Sequence, residues 1–130
     1  MTITRNGSIQ LILLTLPEYR VQWWQYVAEW ALDEDRPFGL DVADFSTFAC
    51  NIINTGDDVA LNKIIDLTEE MITNGDREVK DAFKHQFLEN ITNRMNDISI
   101  QRFTSRLREN SKFICIELDT LWGTKMPGLT

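Results

Sequence analysis

A single histidine, His85, is all that this chain of 130 residues carries. Zinc sites built on paired histidines, or on the HExxH and CxxC spacings, therefore cannot be assembled from it. His85 also sits in no elbow or triad context, so the seryl and threonyl hydroxyls lack a base that would make them nucleophiles. Cysteine is nearly as scarce: Cys50 and Cys115 are the only two. Both fall inside apolar helical patterns, where a thiol acts as a small buried hydrophobe, and the expectation is a reduced, cytoplasmic protein without a disulfide.

Long apolar runs are missing as well. The run in SIQLILLTLP (8–17) is shorter than the roughly 18 to 20 residues that cross a bilayer. Only Arg5 precedes it and no small-residue cleavage site follows closely, so it does not read as a signal peptide. Basic charge is in deficit, with 13 Lys and Arg against 20 Asp and Glu, a net charge of −7 and a pI near 4.6. Nucleic acids and anionic membranes both call for a basic face, so neither is the expected partner. A cationic protein is.

What the chain does have is enough apolar and aromatic side chain, including four tryptophans, to fill one core. The expectation is a single domain over 1–130. Pro17 suits a first helical turn, and LPEYRVQWWQYVAEWALD reads as a helix to about Leu32, with Tyr19, Trp23, Val27 and Trp30 on its inner stripe and Trp24 beside it. Asp41 is the expected cap of a second helix, carrying Phe45, Phe48, Ala49, Ile52 and Ile53 on one face. Asp57 should cap a third, with Val59, Leu61, Ile64, Ile65, Thr68 and Ile72 buried.

The stops NTGD and TNGD resemble each other. Gly56 and Gly75 suit a left-handed helix end, and Asp57 and Asp76 the next N-cap. Such repeated punctuation hints at solenoid-like stacking of antiparallel helices. A fourth helix buries Val79, Ala82, Phe83, Phe87 and Ile91, and a shorter one carries Phe103 and Leu107. The ending KFICIE has strand-like β-branched content, but a lone strand would have no partner, and Ile114, Leu118, Leu121 and Trp122 fit a helix. The expected architecture is all-α, a bundle of about five to six antiparallel helices.

The acid-rich stretch DEDRPFGLDVAD (33–44) invites a test as a calcium loop. Starting from Asp33, position 5 is Pro37, position 6 is Phe38 and position 12 is Asp44, so the pattern fails three times. Adjacent Glu69 and Glu70 diverge by about 100° around a helix and do not converge on one substrate atom. No catalytic, metal-ligating or cofactor-binding residue is assigned, and the reading is a binding protein rather than an enzyme.

Charge along the chain is uneven. From Glu29 to Glu70 eleven acids stand against two bases, a net of −9, whereas six bases against three acids from Lys84 to Lys112 give +3. Such a field steers a cationic partner toward the first half. The expected contact residues are Asp33, Glu34, Asp35, Asp57 and Asp58, with Trp24 as an exposed aromatic anchor.

FKHQFLENITNR (83–94) and LRENSKFICIELDTLWG (107–123), about the last third of the chain, resemble a family of small bacterial helical proteins. In that family a helix with a FLE-N core precedes a segment ending Asp-x-x-Trp, here Asp119 to Trp122. Its members are similar to the immunity proteins that accompany bacterial toxins, including those of contact-dependent inhibition systems. The resemblance implies a small, acidic, cytoplasmic protein, monomer or homodimer, that neutralises a cognate toxin, often a basic nuclease, by covering its active site. It supplies no catalytic residues. The alternative is a helical adaptor or regulator with another protein partner.

Overall fold

In the computed structural model, which describes residues 2–129, Thr4 Oγ1 accepts the Gly7 amide and opens the first helix, α1 (Arg5–Thr15). The apolar run is therefore helical from Ser8 to Thr15, with Leu16 as the C-cap. Its inner face is Ser8, Ile12 and Leu16, four residues apart and fully buried. The other leucines and isoleucines ring the helix and blur any polar face, which hides its period. Residues Ile3 and Gly75 form a parallel bridge, so the chain start is tied to a later inter-helix turn.

Pro17–Tyr19 forms one 3-10 turn leading into α2 (Arg20–Glu29). This helix stops before the expected Leu32, because Ala31 and Leu32 both take positive φ, 52° and 62°. The next helix, α3 (Phe38–Thr55), starts earlier than expected, with extended Pro37 as its N-cap. Asp41 is thus not a cap. It lies in the first turn, is 1% exposed and serves a different purpose, described below.

Gly56 closes α3 in the left-handed region at φ 84°, and Asp57 Oδ1 accepts the Ala60 amide to cap α4 (Asp58–Asn74). Leu61, Ile64, Ile65, Thr68 and Ile72 are buried, but Val59 is 69% exposed and Ala60 takes the inner place. Gly75 does not need a left-handed backbone either, with φ −65°. It is required for space: a Cβ there would lie 2.4 Å from the Met71 carbonyl oxygen and 2.6 Å from Val79 Cγ1.

Asp76 caps the next helix through the Val79 amide. The segments Arg77–Ala82, Phe83–Leu88 and Glu89–Arg94 run on as one helix, α5, whose middle is a π-turn in which the Glu89 amide bonds the Lys84 carbonyl, five residues back. Residues four apart drift about 40° around an ordinary α-helix. The wider turn offsets that drift, and Phe83, Phe87 and Ile91 are all fully buried. Asn96 caps α6 (Asp97–Thr104), Leu107 is buried just beyond it, and α7 (Glu109–Trp122) ends at Gly123 with φ 65°.

The described residues thus form seven helices and no strand, an all-α fold with slightly more helices than expected. The helices close on one another rather than stacking in a row, since α1 packs on α4 and α5, and α7 returns to α4. An aromatic chain ties the centre together: Tyr19 to Phe45 at 5.2 Å, Phe45 to Phe87 at 5.3 Å, and Phe87 to Phe103 at 6.4 Å. Cys50 and Cys115 are free thiols buried in this core, and burial, with a smaller push from Asp119, raises Cys115 to about 12. Among the described residues no helix is long and apolar enough to cross a membrane.

Candidate functional site

The turn between α2 and α3 is organised around Asp41. Two successive non-glycine residues at positive φ are uncommon and are held only where the surroundings fix them. Here the Leu32 amide bonds the Val27 carbonyl at 3.2 Å and the Asp33 amide bonds that of Trp30 at 2.9 Å. Asp33 Oδ1 accepts the Asp35 amide at 2.9 Å, a side chain bonding its own backbone two residues on. Arg36 then reaches back. Its Nη1 bonds the Asp33 carbonyl at 2.9 Å, its Nε bonds Asp41 Oδ1 at 2.8 Å, and its guanidinium lies 5.1 Å from the Trp23 ring centroid.

Tyr26 donates its hydroxyl to the same Asp41 Oδ1 at 2.7 Å. Burial, followed by this bond to a carboxylate, raises the Tyr26 phenol above its usual value. Arg5 comes in from α1, bonding the Arg36 carbonyl and lying 5.6 Å from the Phe38 ring centroid. Its Nη2 is 3.9 Å from Asp41 Oδ2, too far for a hydrogen bond. Oδ2 is therefore a buried carboxylate oxygen without a hydrogen-bond partner.

Above this cluster opens a cleft of about 780 Å³ between α1, α2 and the 30–37 turn. Ile9 and Leu13 form one wall, Trp23 and Trp24 another, and Glu34 and Asp35 the rim, with Asp41 among the lining residues. Trp24 is 59% exposed. Among the described residues the carboxylates of Glu34 and Asp35 take no hydrogen bond and no ion pair, so their charge faces solvent.

The acids of α4 have a different fate. Asp58 meets Arg102 at 2.6 Å and Arg106 at 3.0 Å, and Asp66 meets Arg108 at 3.2 Å. Hydrogen bonding and charge from the two arginines hold the Asp58 carboxyl below the usual range. Glu69 accepts the Ser111 amide and hydroxyl, each at 2.9 Å, and the Asn110 amide at 3.2 Å. Because Arg108 offers α7 no side-chain cap, Glu69 supplies one from a different helix. Burial works against ionising Glu69, but these bonds outweigh it and lower its carboxyl.

The six expected contact residues therefore divide. Trp24, Asp33, Glu34 and Asp35 gather at the α2–α3 turn. Asp57 and Asp58 lie past the far end of α3, on the order of 25 Å away along an axis rising 1.5 Å per residue. Of those two, Asp57 caps α4 and Asp58 is held by arginines. Sequence reasoning did not find the Arg5–Arg36–Asp41–Tyr26 cluster, since an aspartate shortly after a proline and a glycine reads as a cap. His85 is exposed, with Nδ1 3.6 Å from Glu89 Oε2, while Glu89 Oε1 accepts the Trp122 indole N–H at 2.9 Å.

No curated protein and no solved structure matches this chain. A family described as a domain of unknown function, DUF7674, matches residues 9–123, from the middle of α1 to the glycine that ends α7, and the chain belongs to it.

Proposed function

We propose that the protein works by binding, as an immunity protein that neutralises a cognate bacterial toxin in the cytoplasm by covering the toxin's active site with an acidic surface. The toxin is a basic protein, most simply a nuclease domain. The observation that supports this reading is the set of unbonded acids, Glu34 and Asp35, beside the exposed Trp24 at the mouth of the α1–α2 cleft. Tryptophan is among the residues enriched at binding hot spots. The acids steer and orient a basic partner, and Trp24 supplies the contact area.

The footprint centres on Trp24, Asp33, Glu34 and Asp35. Asp57 and Asp58 lie outside it, already engaged within the fold. The test is to recover the partner from the native bacterium with tagged protein, in moderate salt, and to identify it by mass spectrometry. A basic toxin fragment that is released as salt rises, and that is not retained by a Glu34→Lys/Asp35→Lys protein, supports the proposal. A partner whose retention ignores both salt and these substitutions contradicts it.

A further inference from the structure

We infer that the outward face of α7 is a self-association surface, on which α7 of a second copy of this chain packs antiparallel. The inference stands apart from the toxin reading, because α7 contributes no residue to the cleft between α1 and α2.

Helix α7 packs on α4 and on the π-turn of α5, and its buried side is Ser111, Cys115 and Leu118. The side turned away carries Glu109, Phe113, Ile116 and Thr120, all exposed, with exposed Leu121 beside them. Phe113 is 61% and Leu121 65% exposed. Steps of four, three and four residues put Glu109, Phe113, Ile116 and Thr120 in one line, the a/d seam of a two-helix contact. Single exposed apolar residues are ordinary, whereas neighbouring ones at the seam period mark an interaction face. Thr120 can be covered at little cost, since its hydroxyl already bonds the Ile116 carbonyl at 3.0 Å.

The charges along this seam select the occupant and its direction. With the helices antiparallel and Phe113 against Ile116 of the second copy, Glu109 lies beside Thr120, and Lys112 flanks Asp119 of the other copy. The two-fold axis makes each of these contacts twice. Among the described residues neither Lys112 nor Asp119 has an ion pair within its own chain. Asp119 accepts only neutral donors, the Thr124 hydroxyl at 2.7 Å and the Met126 amide at 2.8 Å. A parallel pair would instead set Glu109 against Glu109 and align the two helix dipoles, both unfavourable. The seam is therefore complementary to its own reverse, which is what an isologous interface requires. One helix face per copy is small for a protein interface, so the dimer dissociates on dilution.

The test is analytical ultracentrifugation of the full chain alone, from about 1 µM to about 1 mM, the range in which a small contact reports. The mass should rise from 15.1 kDa toward twice that value. Phe113→Glu and Ile116→Glu, both at exposed positions, should hold the protein monomeric with its melting temperature unchanged. Lys112→Glu should weaken the dimer several-fold by facing Asp119 of the other copy. Thr120→Lys should tighten it several-fold, because Glu109 of the other copy then meets a cation; in a parallel pair the same change would set two lysines together and loosen it. Ile98→Glu, at an exposed apolar position on α6, should change nothing. A monomer at every concentration, a dimer that ignores Phe113→Glu, loosening by Thr120→Lys, or equal loss in Ile98→Glu would each overturn the inference. No toxin is needed, so the two readings fail separately: a dimer that captures no toxin leaves only the α7 surface standing, and a strict monomer that captures one leaves only the toxin reading.

Discussion

On α4 each of the four carboxylates has a partner: Asp58 and Asp66 have arginines, Glu69 has the first amides of α7, and Glu70 has the Asn74 amide group. At the α2–α3 turn the acids divide instead, with Asp33 folded onto its own backbone, Asp41 buried against Arg36, and Glu34 and Asp35 left to solvent. Both regions belong to the same −9 stretch of sequence, yet one is a seam that holds the molecule closed and the other leaves charge available. Net charge counts side chains and says nothing of which have been neutralised by the fold. The seam joins the acidic half to the basic half, so much of the polarity seen in sequence is consumed inside the molecule.

The comparison can be broken most forcefully at Asp41. Asp41→Ala leaves Arg36 charged in a site where its side chain is 12% exposed, and stability in chemical denaturation should fall by about 3–5 kcal/mol. A second change, Arg36→Met, should restore part of that loss, because the two effects are not additive. Next comes the seam. Glu69→Ala removes the cap of α7 and should lower stability by about 1–2 kcal/mol, with hydrogen exchange speeding first at the Asn110 and Ser111 amides.

The two regions should also separate by pH. Asp58 and Glu69 have folded-state values below their ordinary ones, so their stabilisation is complete above the usual carboxylate range. It is lost as pH falls through the lowered values. Melting temperature should therefore drop on acidification, and the drop should be shallower in Asp58→Asn. Beneath the same seam Cys115 has the opposite sign. Raised from 9.0 to about 12, it stabilises the fold fully below pH 9 and progressively less as pH rises toward 12, so Cys115→Ala should flatten the alkaline fall in melting temperature. The smallest effect belongs to the open end of the turn. Glu34→Lys with Asp35→Lys should change stability by no more than about 0.5 kcal/mol, as expected where nothing is bonded.

Much of the fold could be read in advance. The inner stripe Val79, Ala82, Phe83, Phe87 and Ile91 follows directly from helical period, and Asp57 and Asp76 cap where Asx residues follow a glycine. Three things could not be read, each for a physical reason. The α1 helix shows no polar face because apolar residues surround its buried Ser8. Gly75 looks like a left-handed helix end, but what demands glycine there is the tight packing of Met71 and Val79, four residues to either side, where α4 turns into α5. Asp41 carries the same side chain whether it caps a helix or holds a buried arginine, and only the arrival of Arg5, Tyr26 and Arg36 decides between them. At the candidate site, Trp24, Glu34 and Asp35 were legible as exposed and acidic, whereas the floor beneath them was not.

The most direct test of the difference between the two regions compares Glu34→Lys/Asp35→Lys with Glu69→Ala for melting temperature and for retention of the captured partner. The account predicts that the first keeps the wild-type melting temperature and loses the partner, while the second melts earlier and, at a temperature where it is folded, retains the partner. Loss of the partner in Glu69→Ala alone, with Glu34→Lys/Asp35→Lys binding normally, would contradict it and move the binding surface to the seam.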